Sequence, residues 1–361
     1  VTAALRQPAS ARRVRVMLVD DSAIVRGFMR RWIDEDPRIE LVKACSDGAQ
    51  AVAEAASIRP DVIVLDIEMP NMDGLSALPQ LRKAAPDARI VMASTLTAAG
   101  ATQTVKALAL GASDFIAKPQ AGAFGSVDTY RRELIEKIVA LGERAGTRAF
   151  ASTPSAPIKL RPRPMVTTQP AALLIAASTG GPTALPAFLV PIARRIEAPI
   201  LIVQHMPASF TPVFAEKLEA AIGKHCREAQ EGDTLSSGTV LLAPGDKHMR
   251  IARCPAGRMI HLDQGEPVNY CRPAADPLFE TAAAAFGSRL LCVVLTGMGH
   301  DGRAGAGKIV EAGGRVILHD EATRVVWGMP GSVAQAGYAE AVKPLKELSQ
   351  LALRMMSGEA A

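Results

Sequence analysis

In the first part of the chain, short apolar runs alternate with stretches whose apolar residues recur every three to four positions. The runs Val14–Val19, Ile39–Ala44, Val62–Leu65, Ile90–Ala93 and Phe115–Ala117 predict strands. The segments Ile24–Asp34, Ala49–Ile58, Leu75–Lys83, Thr102–Leu110 and Tyr130–Leu141 predict helices. A regular alternation of apolar strand and amphipathic helix predicts a doubly wound parallel sheet. From Thr147 to Pro170 the period disappears, and Pro154, Pro157, Pro162, Pro164 and Pro170 stand among serines and threonines, as in an extended linker. The pattern then resumes with a strand at Leu173–Ile175, a helix at Thr183–Arg194 and a strand at Ile200–Val203. Residues Gly238 to Gln264 read as short strands joined by turns at Pro244-Gly245-Asp246 and Pro255-Ala256-Gly257. Strands Leu290–Leu295 and Arg315–Leu318 return to the α/β pattern.

The expected fold class is therefore α/β throughout. A tail (1–13) precedes a five-stranded doubly wound domain (14–146) and a Pro-rich basic linker (147–170). A second doubly wound, parallel-sheet domain with an added β-hairpin region (171–355) follows.

Composition narrows the function classes. With 48% apolar and 21% charged residues over 361 positions, this is an ordinary globular chain long enough for two cores. No apolar run approaches the ~20 residues that span a bilayer, and the N-terminus lacks the apolar stretch of a signal peptide. A cytoplasmic protein without direct membrane insertion is expected. The five cysteines form no C-x-x-C pair and are read as idle thiols rather than as disulfides or a zinc site. Net charge is +5, of which Arg148, Lys159, Arg161 and Arg163 of the linker supply four, with no acid there to offset them. Charge in a linker does not make a nucleic-acid groove, and the second half contains no basic recognition helix, so no nucleic-acid partner is expected.

Four polar features end predicted strands of the first half: Asp20-Asp21, Asp66, Ser94 and Lys118. Open α/β sheets bring such ends together. Crowded carboxylates need a cation, and hard oxygen ligands suit Mg²⁺, which also accepts phosphate oxygens. A site of that kind can take a phosphoryl group onto a carboxylate, because phosphoryl transfer depends on positioning and charge neutralisation. Taken singly, the aspartates could cap a helix and Lys118 could be a surface charge.

These residues, with the run Leu65-Asp66-Ile67-Glu68-Met69-Pro70-Asn71-Met72-Asp73-Gly74 and Lys118-Pro119, resemble a two-component receiver domain over about residues 14–144. The resemblance implies that Asp66 accepts a phosphoryl group from a sensor histidine kinase. It implies Mg²⁺ held by Asp21, Asp66 and the Glu68 carbonyl, with Asp20 acting through water. It further implies Lys118 on the phosphoryl group and Ser94 with Phe115 as a switch pair, Thr95 offering a second hydroxyl.

In the second half, Ser178 follows one predicted strand and His205 the next, with one helix between. Neighbouring strand ends lie ~5 Å apart, within reach of a serine–imidazole hydrogen bond. A serine needs a base to become a nucleophile, histidine suits that role near neutrality, and a carboxylate on the far ring nitrogen fixes the tautomer. Asp301, in the glycine-flanked loop Thr296–Gly302 after a strand, is the candidate carboxylate, and backbone N–H groups of that loop could form an oxyanion hole. Three rival readings stand beside this one. Ser178 could cap the following helix, Gly180-Gly181 could cradle a phosphate, and His300 could be the base.

The segments Ser178-Thr179-Gly180-Gly181-Pro182, Val203-Gln204-His205-Met206-Pro207, Leu242–Met249, Arg272-Pro273 with Asp276, and Thr296–Gly302 resemble the catalytic domain of chemotaxis-specific protein-glutamate methylesterases over about residues 170–350. The resemblance implies Ser178 as nucleophile, His205 as base, Asp301 as its orienter, an oxyanion contact from the Met298 backbone, and the Thr179 hydroxyl beside the site. It implies a phosphorylation-activated esterase acting on methyl-accepting chemotaxis receptors, with deamidation of receptor glutamines by the same route and no cofactor for the esterase. In the unphosphorylated state it implies a receiver that blocks the catalytic cleft. The sequence departs from the pattern at the tail, at His300 and at Pro277. The alternative from another class is a non-catalytic phospho-switch that binds a partner through its second half.

Overall fold

The computed structural model describes residues 12–119, 126–146, 158–162, 168–255, 257–323 and 325–359. Most of the expected tail and linker lies outside the described residues. Among them, no helix is long and apolar enough to cross a membrane.

The first sheet is built from β1 (Val14–Val19), β2 (Ile39–Cys45), β3 (Val62–Asp66), β4 (Arg89–Ser94) and β5 (Asp114–Ala117). The helices α1 (Ala23–Asp34), α2 (Gly48–Ile58), α3 (Gly74–Ala84), α4 (Ala98–Ala109) and α5 (Ser126–Gly146) alternate with them. Strand order is β2-β1-β3-β4-β5. All five residues of β3 are buried, as a strand covered on both faces requires. Side-chain caps set the helix starts. Asp47 accepts the Gln50 N–H at 2.9 Å, Asp73 that of Ser76 at 2.7 Å, and Thr97 that of Gly100 at 3.0 Å. The Thr97 cap starts α4 four residues before the expected Thr102, because Ala98, Ala99 and Gly100 are too small to show an apolar period.

The second sheet has seven strands: β6 (Ala172–Ala177), β7 (Ile200–Gln204), β8 (Cys226–Glu228), β9 (Val240–Leu242), β12 (Leu290–Val294), β13 (Arg315–His319) and β14 (Ala341–Lys343). They pair in parallel in the order β14-β13-β12-β6-β7-β9-β8. The expected hairpin is present as β10 (His248–Cys254) against β11 (Gly257–Asp263). The helices are α6 (Gly181–Leu189), α7 (Thr211–Ile222), α8 (Ala275–Phe286), α9 (Arg303–Glu311), α10 (Gly328–Gln335) and α11 (Leu345–Met356). Alternate residues of β6, Leu174 and Ala176, enter a core with Leu278, Phe279 and Ala282 of α8.

Two details differ from the sequence reading. The helix expected at Thr183–Arg194 stops at Leu189, because Pro191 has no N–H with which to continue the helical hydrogen bonds; only a 3₁₀ turn, Ala193–Arg195, follows. Strands β8 and β14, three residues each at the sheet edges, carry Arg227 and Lys343 and have no apolar run to announce them.

Both sheets have a switch point where the connections leave in opposite directions, between β1 and β3 in the first and between β6 and β12 in the second. Open α/β sheets leave a crevice at such points, outside the carboxyl ends of the strands.

Candidate active site

Ser178 leaves the end of β6 at the second switch point, its N–H donating to the Thr296 carbonyl beyond β12 at 3.0 Å. Its own carbonyl accepts the Gly181 N–H at 2.7 Å, closing a tight turn into α6. Gly180, with φ of 76°, caps that helix without a side-chain bond, so Ser178 is not consumed as a cap. Thr179 is buried, and its hydroxyl has no hydrogen-bond partner among the described residues.

β6 and β7 are adjacent, with Ala177 opposite Gln204, and the His205 N–H donates to the Ala177 carbonyl at 3.1 Å. Serine and histidine therefore emerge at the same edge of the sheet. The buried Gln204 amide ties the two together, its Nε2 donating to the carbonyls of Ser178 at 3.0 Å and of His205 at 3.1 Å. A Cβ on Gly181 would come within 2.0 Å of Gln204 Oε1. Gly181→Ala is thus expected to displace this amide, costing about 1–3 kcal/mol in urea unfolding and at least tenfold in turnover. Unchanged values for both would show that Gln204 does not hold the pair.

The imidazole of His205 faces Asp301, with Nε2 at 2.7 Å from Oδ2. The side chains are 11% and 2% exposed, so this contact is largely shielded from water. Asp301 lies in the loop after β12 and also accepts N–H groups from Ala275 at 2.5 Å and Asp276 at 3.2 Å, at the N-terminus of α8. Burial pushes its pKa up, but the His205 bond and charge and these N–H groups outweigh burial and hold it below the ordinary aspartate value. Asp276 goes the other way. Burial raises it, the Gly305 N–H opposes, and the neighbouring Asp301 charge adds to the rise. Asn269 separates the two carboxylates, its Nδ2 donating to Asp276 at 2.9 Å and Asp301 at 3.1 Å.

The expected serine–imidazole hydrogen bond is not made. With Asp301 on Nε2, the other ring nitrogen, Nδ1, faces Cys271 Sγ at 3.4 Å. Such bonds are often long or absent without substrate, and tighten when it binds. Cys271, read as an idle thiol, is instead against the imidazole. His300 is exposed, whereas its neighbour Asp301 is buried. The loop bearing Met298 packs tightly on the serine: a Cβ on Gly297 would lie 2.9 Å from Ser178 Cβ and 2.3 Å from Met329 Sδ.

In the sequence, Gln204 and Asp276 stand out only as motif members, and Asn269 and Cys271 not at all. The last two lie on an irregular turn with no hydrophobic period to place them.

At the first switch point, Asp20, Asp21 and Asp66 bring one carboxylate oxygen each within 4.8 Å of one another. Asp20 and Asp66 are buried, and Asp66 Oδ1 accepts its neighbour Ile67's N–H at 2.8 Å. Glu68 is exposed. Ser94 is buried, its hydroxyl donating to the Gly100 carbonyl at 3.1 Å, whereas Thr95 Oγ1 pairs with Thr97 Oγ1 at 3.2 Å. Phe115 is buried in β5, and the N–H of Lys118, just beyond that strand, donates to the Ser94 carbonyl at 2.7 Å.

Comparison with known proteins agrees with both halves. Residues 173–352 match the CheB methylesterase family and residues 16–123 the response regulator receiver domain. The protein-glutamate methylesterase/protein-glutamine glutaminase 2 of Caulobacter vibrioides is 50% identical over 343 residues, 93% of this chain and 96% of that one. The protein-glutamate methylesterase/protein-glutamine glutaminase of Azospirillum brasilense is 44% identical over 357 residues, 93% and 91% of the two chains. The catalytic domain of the Thermotoga maritima CheB methylesterase is 37% identical, covers 51% of this chain and 100% of that one, and has a TM-score of 0.49. The chain belongs to the protein-glutamate methylesterase/protein-glutamine glutaminase family, whose members join a response regulator receiver domain to a CheB methylesterase domain.

Proposed function

We propose that this protein is a phosphorylation-activated serine esterase that hydrolyses glutamate γ-methyl esters on chemotaxis receptors, releasing methanol, and deamidates specific receptor glutamines. The observation that carries the reading is the delivery of Ser178 and His205 by adjacent strands to one sheet edge, with the imidazole held at 2.7 Å by the buried Asp301.

With Asp301 accepting from Nε2–H, the imidazole keeps a lone pair on Nδ1. Ser178 Oγ attacks the ester carbonyl carbon as its proton passes to that nitrogen. The tetrahedral oxyanion is stabilised by backbone N–H groups, that of Met298 among them, and Thr179 offers its unpartnered hydroxyl beside the serine. Collapse breaks the bond to the methoxy group, which leaves as methanol with the proton from His205. Water, deprotonated by the same imidazole, then releases the carboxylate and restores the serine. A glutamine side chain takes the same course, with ammonia as the leaving group. The Asp301 carboxylate stays ionised and stabilises the imidazolium at each step.

In the receiver half, Asp66 accepts the phosphoryl group from a sensor histidine kinase. The clustered carboxylates of Asp20, Asp21 and Asp66 are a donor set of hard oxygens suited to Mg²⁺, joined by the Glu68 carbonyl. The ion would neutralise charge on the phosphoryl oxygens there. Lys118 would contact the phosphoryl group, and Ser94 with Phe115 would report its presence.

The test is incubation with methyl-labelled receptor, with and without a small-molecule phosphodonor. Methanol release is expected, and release by the whole chain should rise several-fold with phosphodonor. Asp66→Asn should abolish the rise while leaving the unstimulated rate in place. No methanol from the wild type would overturn the esterase reading, and an equal rise in Asp66→Asn would overturn the switch.

A further inference from the structure

The turn Val268 to Cys271 lies against the imidazole, and the reaction above makes no use of it. Val268 and Cys271 exchange main-chain hydrogen bonds of 3.1 and 2.9 Å. The two residues between them both have positive φ, 53° at Asn269 and 63° at Tyr270. Two-residue turns of this hand favour Asn followed by Gly, and a tyrosine with positive φ is an outlier. Tyr270 is 79% exposed, so burial does not compensate it. Strain of this kind, of order 1–3 kcal/mol, persists where the surroundings over-determine it, often at functional sites. Here the turn fixes Asn269 on the two carboxylates and Cys271 on the imidazole.

The placement of the sulfur has a chemical consequence. Asp301 takes the Nε2 side of His205, so the lone pair available to the Ser178 proton is on Nδ1, where Cys271 Sγ lies at 3.4 Å. The Cys–His pair has two forms differing by the position of one proton: S–H donating to Nδ1, or a thiolate accepting from Nδ1–H. Either form occupies the nitrogen that the serine needs.

The geometry points to Cys271 as a positioning residue of the esterase, one whose sulfur engages Nδ1 of His205 in the resting enzyme and gives way to Ser178 in turnover. Its effect on catalysis rests on the esterase reading, but the contact itself does not. The titratable groups facing the ring are Asp301 and the Cys271 thiol, with Asp276 next to Asp301. The guanidinium of Arg272, the next residue, is turned away to Asp246 at 2.6 Å. Burial pulls the imidazole pKa down, the Cys271 charge and the Asp301 bond push it up, and the balance lies above the ordinary histidine value. A raised pKa keeps the ring protonated, and an imidazolium cannot accept the serine proton. Removing the sulfur therefore makes the base available at lower pH.

The test uses the full chain in a Ser178→Ala background, which removes turnover, with His205 assigned by comparison with His205→Gln. The imidazole is titrated by NMR with Cys271, Cys271→Ala and Cys271→Ser. Both substitutions should lower the His205 midpoint by at least about one unit, tenfold in proton affinity. Serine retains the size and a donor, so it serves if the alanine variant does not fold. Midpoints within about 0.3 unit of the Cys271 chain in both variants would overturn the proposal. With Ser178 restored, the acid limb of kcat should move to lower pH at unchanged KM. A uniform loss at every pH would mark Cys271 as merely structural and overturn it. Should the wild type release no methanol, the esterase reading falls while the titration still decides the role of the sulfur.

Discussion

Ser178→Ala is expected to reduce methanol release from methylated receptor by about 10⁴-fold or more, because it removes the atom proposed to form the acyl-enzyme. His205→Ala should fall to a similar level, since the serine is then left without a base. The double variant should be no more than a few-fold worse than either single one. Groups that act as a unit are lost together, and the residual rate comes from the oxyanion donors and from substrate binding. Receptor binding by Ser178→Ala should be close to that of the wild type, as the hydroxyl makes no structural bond among the described residues. Near-normal methanol release by either single variant would sink the mechanism.

Asp301→Asn is the second large effect, and it acts on both turnover and stability. Every partner of this carboxylate donates: His205 Nε2 and the Ala275 N–H to Oδ2, and the Asp276 N–H and Asn269 Nδ2 to Oδ1. An amide in the same place turns one acceptor into a donor, so in either orientation an N–H faces two N–H groups. Loss of turnover by about 10⁴-fold is expected, as when the orienting carboxylate of a serine triad is made neutral. Unfolding free energy should fall by about 1–3 kcal/mol, the cost of buried groups left unpaired. The stability difference should depend on pH. The folded pKa of Asp301 lies below that of the unfolded chain, so its contribution is complete above about 4 and declines as pH falls through the folded value. Urea unfolding of both proteins across pH should show the gap narrowing on the acid side. An Asn variant within tenfold of wild-type turnover would exclude Asp301 from the role assigned to it.

Ser178, His205, Asp20, Asp21 and Asp66 were legible in the sequence for one physical reason. Each comes within two residues of the end of an apolar run, and a parallel sheet delivers the residues at the carboxyl ends of its strands to a common edge. Asp301 was legible because glycines flank a loop that also comes after such a run. Cys271 and Asn269 were not, because nothing periodic places them. They reach the imidazole through a turn after β11, and only the folded path brings residue 271 to residue 205. Gln204 was visible as a polar residue ending an apolar strand, but its bridge between two carbonyls needs the register of β6 on β7. The early stop of α6 could have been read from Pro191, which the apolar period ran across.

The proposed nucleophile and base hang from two central strands whose facing residues, Ala177 and Gln204, are paired in the backbone ladder. Their spacing is thus a property of the sheet rather than of flexible side chains. Interior ladders are generally the last to open to hydrogen exchange, while loops and edges open earlier. Warming should therefore leave the spacing of this pair intact until the domain melts as a whole, whereas the turn carrying Asn269 and Cys271 is free to loosen sooner. Heat would then blunt the tuning of the enzyme well before it destroys the chemistry.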